Sequence, residues 1–153
     1  MAHEGLEIAG RIEGKVHVLP VRVYYEDTDF SGAVYHANYL KFCERGRSDC
    51  LRLLDVHHNE LRDGAHWHET QSYMGFVVRR MECDFLAPAQ IDDVLDVETR
   101  FEEMRGARFM LDQKVLRDGQ ALFSALVTVA LVTADGKPQR MPKELVRRLE
   151  PMI

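Results

Sequence analysis

Between His36 and Val56 the apolar residues recur at helical spacing, and no other stretch of the chain keeps that period for so long. Tyr39, Leu40, Cys43, Gly46, Cys50, Leu53 and Leu54 form one stripe, with Lys41, Glu44, Arg45, Arg52 and Asp55 largely off it. The rest of the chain is mostly β-like. VHVLPVRVYY (16–25) precedes the helix, and runs at 72–86, 93–104, 107–117 and 120–135 follow it. One long helix must therefore be housed by about five strands joined through short connections. That order predicts an α+β fold, an antiparallel sheet with a single principal helix. The small stripe members Cys43, Gly46 and Cys50 predict a close backbone approach, as for a helix inside a curved sheet. Gly46 costs about 1 kcal/mol of helix propensity relative to Ala, which tight packing would offset.

Turn chemistry supports the same order. Arg105-Gly106 and Asp118-Gly119 read as tight hairpins, Asp-Gly being the stronger signal. Pro20 places the first strand at an edge or a bulge. The last run, QALFSALVTVALVTAD, is nearly continuous in apolar residues, as for a central strand covered on both faces. HHNELRDGAHWHE reads as a short helix and loop, and KELVRRLEPM as a short C-terminal helix. Residues 1–15 read as a flexible arm and 16–153 as one domain. At 153 residues and 46% hydrophobic content the chain can bury a core without disulfide or metal staples.

Composition narrows the function classes. A net charge of −5 argues against nucleic acid as the main partner. No apolar run is long enough to span a bilayer, and the first residues lack a signal-peptide core, so the expected location is the cytoplasm. Cys43, Cys50 and Cys83 lack close C-x-x-C spacing and read as small buried side chains in a reducing compartment. His57, His58, His66 and His68, taken with His36, invite a metal site, but the four later ones sit in a polar loop and read as solvated. No metal or cofactor is expected.

The segment YYEDTDFSGAVYHANYLKFCERGR (24–47) concentrates the chemistry. It brings carboxylates, a Gly-bearing turn, an imidazole and the free N–H groups of a helix N-terminus together, where a polarised carbonyl can be held and attacked. Asp29 fits a catalytic carboxylate, or a cap or turn residue. His36, seven residues on, fits either a site residue or a surface histidine. Asp27 and Glu26 read as structural or solvated.

The run VYYEDTDFSGAVYHANYLKFCERGR closely resembles the signature of the 4-hydroxybenzoyl-CoA thioesterase superfamily, most of all its Tol–Pal-associated acyl-CoA thioesterase branch. The block FVVRRMECDFLAPAQIDDVLDVETRFEEMRGARF and the ending KPQRMP resemble that branch too. The resemblance implies a hotdog fold, in which an antiparallel sheet wraps a long central helix. It also implies a homodimer or homotetramer with interfacial sites, hydrolysis of an acyl-CoA substrate, and a bacterial envelope connection. By motif, Asp29 matches the catalytic aspartate, acting as nucleophile or general base. His36 matches the histidine of Y-H-A-N-Y, and Tyr25 the tyrosine four residues before the aspartate. The N–H groups around Tyr35 and His36 match the oxyanion donors. Arg79, Arg80, Arg105 and Arg108 are candidates for the CoA phosphates, or else solvated strand residues. Two departures, Gly46 for Ala and the pair Phe30-Ser31, are expected to leave the chemistry untouched. Hotdog architecture also carries dehydratases and non-catalytic acyl-CoA or protein-binding modules, so fold alone does not fix the activity.

Overall fold

The helical period becomes α1 (His36–Leu53), 18 residues that bury Asn38, Tyr39, Phe42, Cys43, Gly46, Asp49, Cys50 and Leu51. The computed structural model describes residues 9–63 and 73–153. Around α1 runs a six-stranded sheet of β1 (Arg11–Glu13), β2 (Val16–Arg22), β3 (Met74–Phe85), β4 (Val94–Arg105), β5 (Arg108–Arg117) and β6 (Gln120–Thr133). Its order is β1-β2-β4-β5-β6-β3, and every pairing is antiparallel. The helix lies against β1, β2, β4 and β5, the hotdog arrangement. Two short helices, α2 (His58–Asp63) and α3 (Lys143–Leu149), complete the chain.

Packing under α1 explains its small residues. A Cβ added at Gly46 would stand 2.9 Å from Val97 Cγ1 and 3.3 Å from Thr99 Oγ1, closer than ordinary contact. The same approach places polar groups beneath the helix. Gln113 Nε2 donates to the Cys43 carbonyl and to Thr99 Oγ1, both at 2.9 Å, while its Oε1 accepts from Arg47. Burial pushes the Cys43 and Cys50 thiols up to about 12, so both behave as inert apolar groups.

Several sequence expectations shift in detail. The sheet has six strands rather than about five, because Arg11–Glu13 pairs with Val16–Val18. Weak periodicity hid so short a strand. Its anchor is polar: buried Asp49 accepts from Gly10 N at 2.8 Å and meets His17 Nε2 at 2.7 Å. The buried face of α1 is wider than the stripe, since Phe42 and Leu51 are buried as well, whereas Leu53 is exposed near the helix end. Strand β2 stops at Arg22, and Tyr25 falls in a single 3-10 turn, Tyr25–Asp27. Pro20 sits beyond the reach of β1, where β2 has a neighbour on one side only. Strand β6 lies inside the sheet between β5 and β3, but buried and half-buried residues alternate along it. One of its faces packs on the core and the other is only partly covered. The Asp118-Gly119 turn is as expected, with φ of 50° and 81°. His66 and His68 lie outside the described residues, and His57 Nε2 meets Asp55 Oδ1 at 3.0 Å.

Candidate active site

Asp27, not Asp29, holds the strand-to-helix turn together. It is buried, and its Oδ2 accepts the Tyr24 N–H at 2.8 Å, which fixes the 3-10 turn. Its backbone carbonyl accepts twice more, from Tyr35 N at 2.9 Å and from Asn38 Nδ2 at 2.8 Å. The chain is thereby clamped to the start of α1, and residues 29–33 are left as a projecting loop. A bridge between Thr28 and Val34 closes that loop, and Asp29 N donates to the Ala33 carbonyl at 3.0 Å. Gly32, at φ 87°, supplies the left-handed residue the loop needs.

At the tip of this arrangement Asp29 is exposed, and its Oδ1 accepts from Ser31 N at 2.8 Å and from the Ser31 hydroxyl. The Ser31 hydroxyl first, then its N–H, hold the Asp29 carboxyl below its ordinary 3.8, with a further contribution from His36. Both hydrogen bonds fall on one oxygen, so Oδ2 has no partner among the described residues. This corrects the reading of Phe30-Ser31 as irrelevant to the chemistry: Ser31 touches the candidate carboxylate directly. Asp-x-Ser is a common turn pattern, and that was the available signal.

Helix α1 begins with no side-chain cap and no acidic residue in its first turn. The N–H of Tyr35 is spent on Asp27, which corrects its assignment as an oxyanion donor. His36 and Ala37 keep their N–H groups free of protein acceptors among the described residues. Such terminal amides carry the positive end of the helix dipole. The His36 ring is exposed, 4.4 Å from Tyr35 and 6.1 Å from Phe85 between centroids.

Two shallow cavities flank this point. One of about 410 Å³ is lined by Tyr25, Thr28, Asp29, Phe30, Gly32 and Ile91. The other, about 350 Å³, is lined by Val34, His36, Tyr39, Phe85 and residues 86–88. The structure thus brings Tyr25 to Asp29, and His36 close enough to act on Asp29 electrostatically. Exposed Tyr25, Phe30, Tyr35, Phe85, Leu86 and Ile91 make an apolar rim.

The four arginines also come together, but elsewhere. Arg79, Arg80, Arg105 and Arg108 line a groove of about 340 Å³ with Glu103, Phe109, Met110 and Thr128. Register explains this, since Arg80 opposes Thr128, Thr128 opposes Met110, and Arg105 opposes Arg108. Buried Phe109 and Leu111 flank Met110 in sequence, so Arg108 and Met110 point away from the core. Arg80 pairs with Glu82 at 2.7 Å; among the described residues the other three have no ion pair. From Phe85, beside His36, to Arg80 is five residues of strand, about 17 Å.

A curved antiparallel sheet around one long helix defines the hotdog class of fold, and comparison assigns its family. The chain belongs to the Thioesterase-like superfamily, whose model matches residues 23–149. It is 41% identical to the acyl-CoA thioesterase YbgC of Haemophilus influenzae over 127 residues, 82% of this chain and 88% of that protein. It is 37% identical to the acyl-CoA thioester hydrolase YbgC of Escherichia coli over 83% of this chain and 90% of that protein. Among solved structures, a probable thioesterase from Bartonella henselae superposes with a TM-score of 0.78 at 45% identity. That match covers 83% of this chain and 99% of the other. Among the described residues no helix is long and apolar enough to cross a membrane.

Proposed function

We propose that this chain hydrolyses acyl-CoA thioesters to a free acid and CoA. The observation that carries the reading is an exposed Asp29 whose carboxyl is held low by Ser31 and in part by His36, on the loop that leads into α1, together with His36 and Ala37 amides that have no protein acceptor among the described residues. The thioester oxygen points at those amides, which stabilise the charge it gains in the tetrahedral intermediate; one such donor is worth about 2.7–4 kcal/mol. Asp29 Oδ2 either attacks the carbonyl carbon, giving a mixed anhydride that water opens, or takes a proton from the attacking water. The C–S bond then breaks and CoA leaves as thiolate, which takes up a proton relayed through His36 from water. Tyr25 adds a hydroxyl on the Asp29 side. In single turnover in ¹⁸O-water, label in Asp29 establishes the anhydride route with opening at the Asp29 carbonyl, whereas label in the acid alone fits opening at the acyl carbonyl or direct attack by water. A panel of acyl-CoAs followed by thiol release tests the activity itself. Tight binding without release for every chain length would instead mark a binding module.

The ionisation of Asp29 gives a prediction with a definite sign. Its carboxyl is held low, so the acid limb of kcat/KM lies below the ordinary aspartate range. Ser31→Ala removes the first cause and moves that limb upward, toward 3.8. Two pH–rate profiles check this, and an unmoved limb removes Ser31 from the site.

In this reading the arginine groove takes the CoA phosphates. The double variant Arg105→Ala/Arg108→Ala should raise KM about tenfold, equivalent to about 1.4 kcal/mol, with kcat little changed. The increase should vanish with an acyl-pantetheine substrate, which lacks the nucleotide. An equal rise with both substrates would place the nucleotide elsewhere.

Strand β3 carries the quaternary proposal. It spans 12 residues, pairs among the described residues with β6 alone, and exposes Val77 and Val78 at 45% each. An edge this long, with two adjacent exposed valines, calls for a cover. A second copy pairing antiparallel through β3 supplies it with two-fold symmetry, as a dimer or as half of a tetramer. Light scattering should give at least a dimer, and Val77→Lys/Val78→Lys should give monomers. A wild-type monomer would sink this arrangement. The free thiols Cys43, Cys50 and Cys83 fit a cytoplasmic setting.

A further inference from the structure

Both cavities at the site share one wall. Residues 86–88 line the His36 side, and Ile91 lines the Asp29 side. This connection between β3 and β4 is also the backbone partner of the catalytic turn. Ala33 bridges Gln90, and Val34 N donates to the Ala89 carbonyl at 2.8 Å. Ala33 in turn receives the Asp29 N–H. Whatever fixes the connection therefore fixes Asp29 and the approach to α1.

Two devices fix it. On one side Asp93 Oδ2 accepts both the Gln90 N–H at 2.8 Å and Arg117 Nη1 at 2.7 Å. Arg117, at the end of β5, also reaches the Pro88 carbonyl at 3.4 Å. On the other side the Tyr39 hydroxyl, from inside α1, accepts the Ala89 N–H at 2.9 Å. Tyr39 is itself held by stacking on Phe123 at 5.3 Å. The Arg117–Asp93 pair is one-quarter to one-third exposed, so its worth as a surface ion pair is small. Its two backbone contacts give it a different use.

We infer that Arg117 and Asp93 are positioning residues for hydrolysis: they hold the wall at residues 88–93, and through Ala33 they set where Asp29 stands relative to the α1 amides. The inference rests on the acyl-CoA thioesterase reading for its kinetic arm and on geometry alone for its structural arm. A small misplacement of a reacting group can cost up to about 10²-fold in rate. Loss of the strut should thus appear in kcat rather than in binding.

The experiment uses the full chain with Arg117→Gln, Asp93→Asn, the double variant and Arg117→Lys. Each single loss should lower kcat about tenfold with KM within about twofold, as expected for misplaced reacting groups. The double variant should be no worse than either single, because the pair acts as one unit. Arg117→Lys, which keeps the charge on Asp93, should recover most of kcat. Amide exchange should rise in 28–36 and 87–93 of Arg117→Gln and stay unchanged in β5 and β6. Tyr39→Phe should raise exchange at Ala89 independently, which covers failure of any strut variant to fold. Unchanged exchange in both segments overturns the inference even if the wild type releases no thiol. A wild type inactive toward acyl-CoAs, with exchange raised as stated, overturns the thioesterase reading instead. Wild-type kcat in both single variants with only a lowered melting temperature reduces the pair to a stabilising contact.

Discussion

Asp29→Asn should lower acyl-CoA hydrolysis by about 10²–10⁴-fold, the range a positioned base or nucleophile supplies. The substitution is nearly isosteric, and the asparagine oxygen can still accept from Ser31 N and its hydroxyl. Asp29 is exposed and contributes its carboxylate to no other residue's hydrogen bonding among those described, so the fold should hold. Surface changes of this kind usually stay within about 0.5 kcal/mol. Neighbouring Asp27 makes the contrast. Asp27→Asn turns one acceptor oxygen into a donor at a buried position, where Oδ2 takes the Tyr24 N–H. It should cost stability through that contact, with rate following the folded fraction. Steady-state thiol release, beside thermal melts of the same preparations, separates the two effects. Near-wild-type turnover by folded Asp29→Asn would remove Asp29 from the chemistry.

What the sequence made legible was periodic or motif-bound. Helix α1 appeared through its repeat, the Asp118-Gly119 turn through its dipeptide, and the family through two long blocks. Backbone accounting was not legible. That Tyr35 spends its N–H on Asp27 while His36 and Ala37 do not depends on how a 3-10 turn meets a helix. No residue type encodes this. The arginines were readable as cations, but their convergence needs the strand order β4-β5-β6-β3, which places Arg80 across from Thr128. Strand order is set by the closed core and by no local signal. Phe42 and Leu51 escaped the stripe because a helix inside a curved sheet is buried on more than one narrow face. Arg117 and Asp93 are 24 residues apart, and only the fold brings them together on one backbone segment.

His36→Pro should cost about 10²–10³-fold more activity than His36→Ala. Both variants lose the imidazole, so a shared loss reports proton transfer to the leaving thiolate. Only proline also removes the amide N–H, one of the two donors at the start of α1 with no acceptor among the described residues. The first helical position is where proline is best tolerated, since that N–H has no intrahelical partner. Proline also restricts the residue before it to extended backbone. Tyr35 already stands there, at φ −62° and ψ 133°, so the helix can start unchanged. The ratio of the two rates thus isolates a single oxyanion donor, worth about 2.7–4 kcal/mol. Circular dichroism and melting curves should show both variants folded. His36→Ala should stay more active than Asp29→Asn, because it keeps the Asp29 carboxylate as well as the amides of residues 36 and 37. If proline and alanine lose equally, the carbonyl oxygen does not sit at the residue-36 amide, and the ring carries the whole effect of His36.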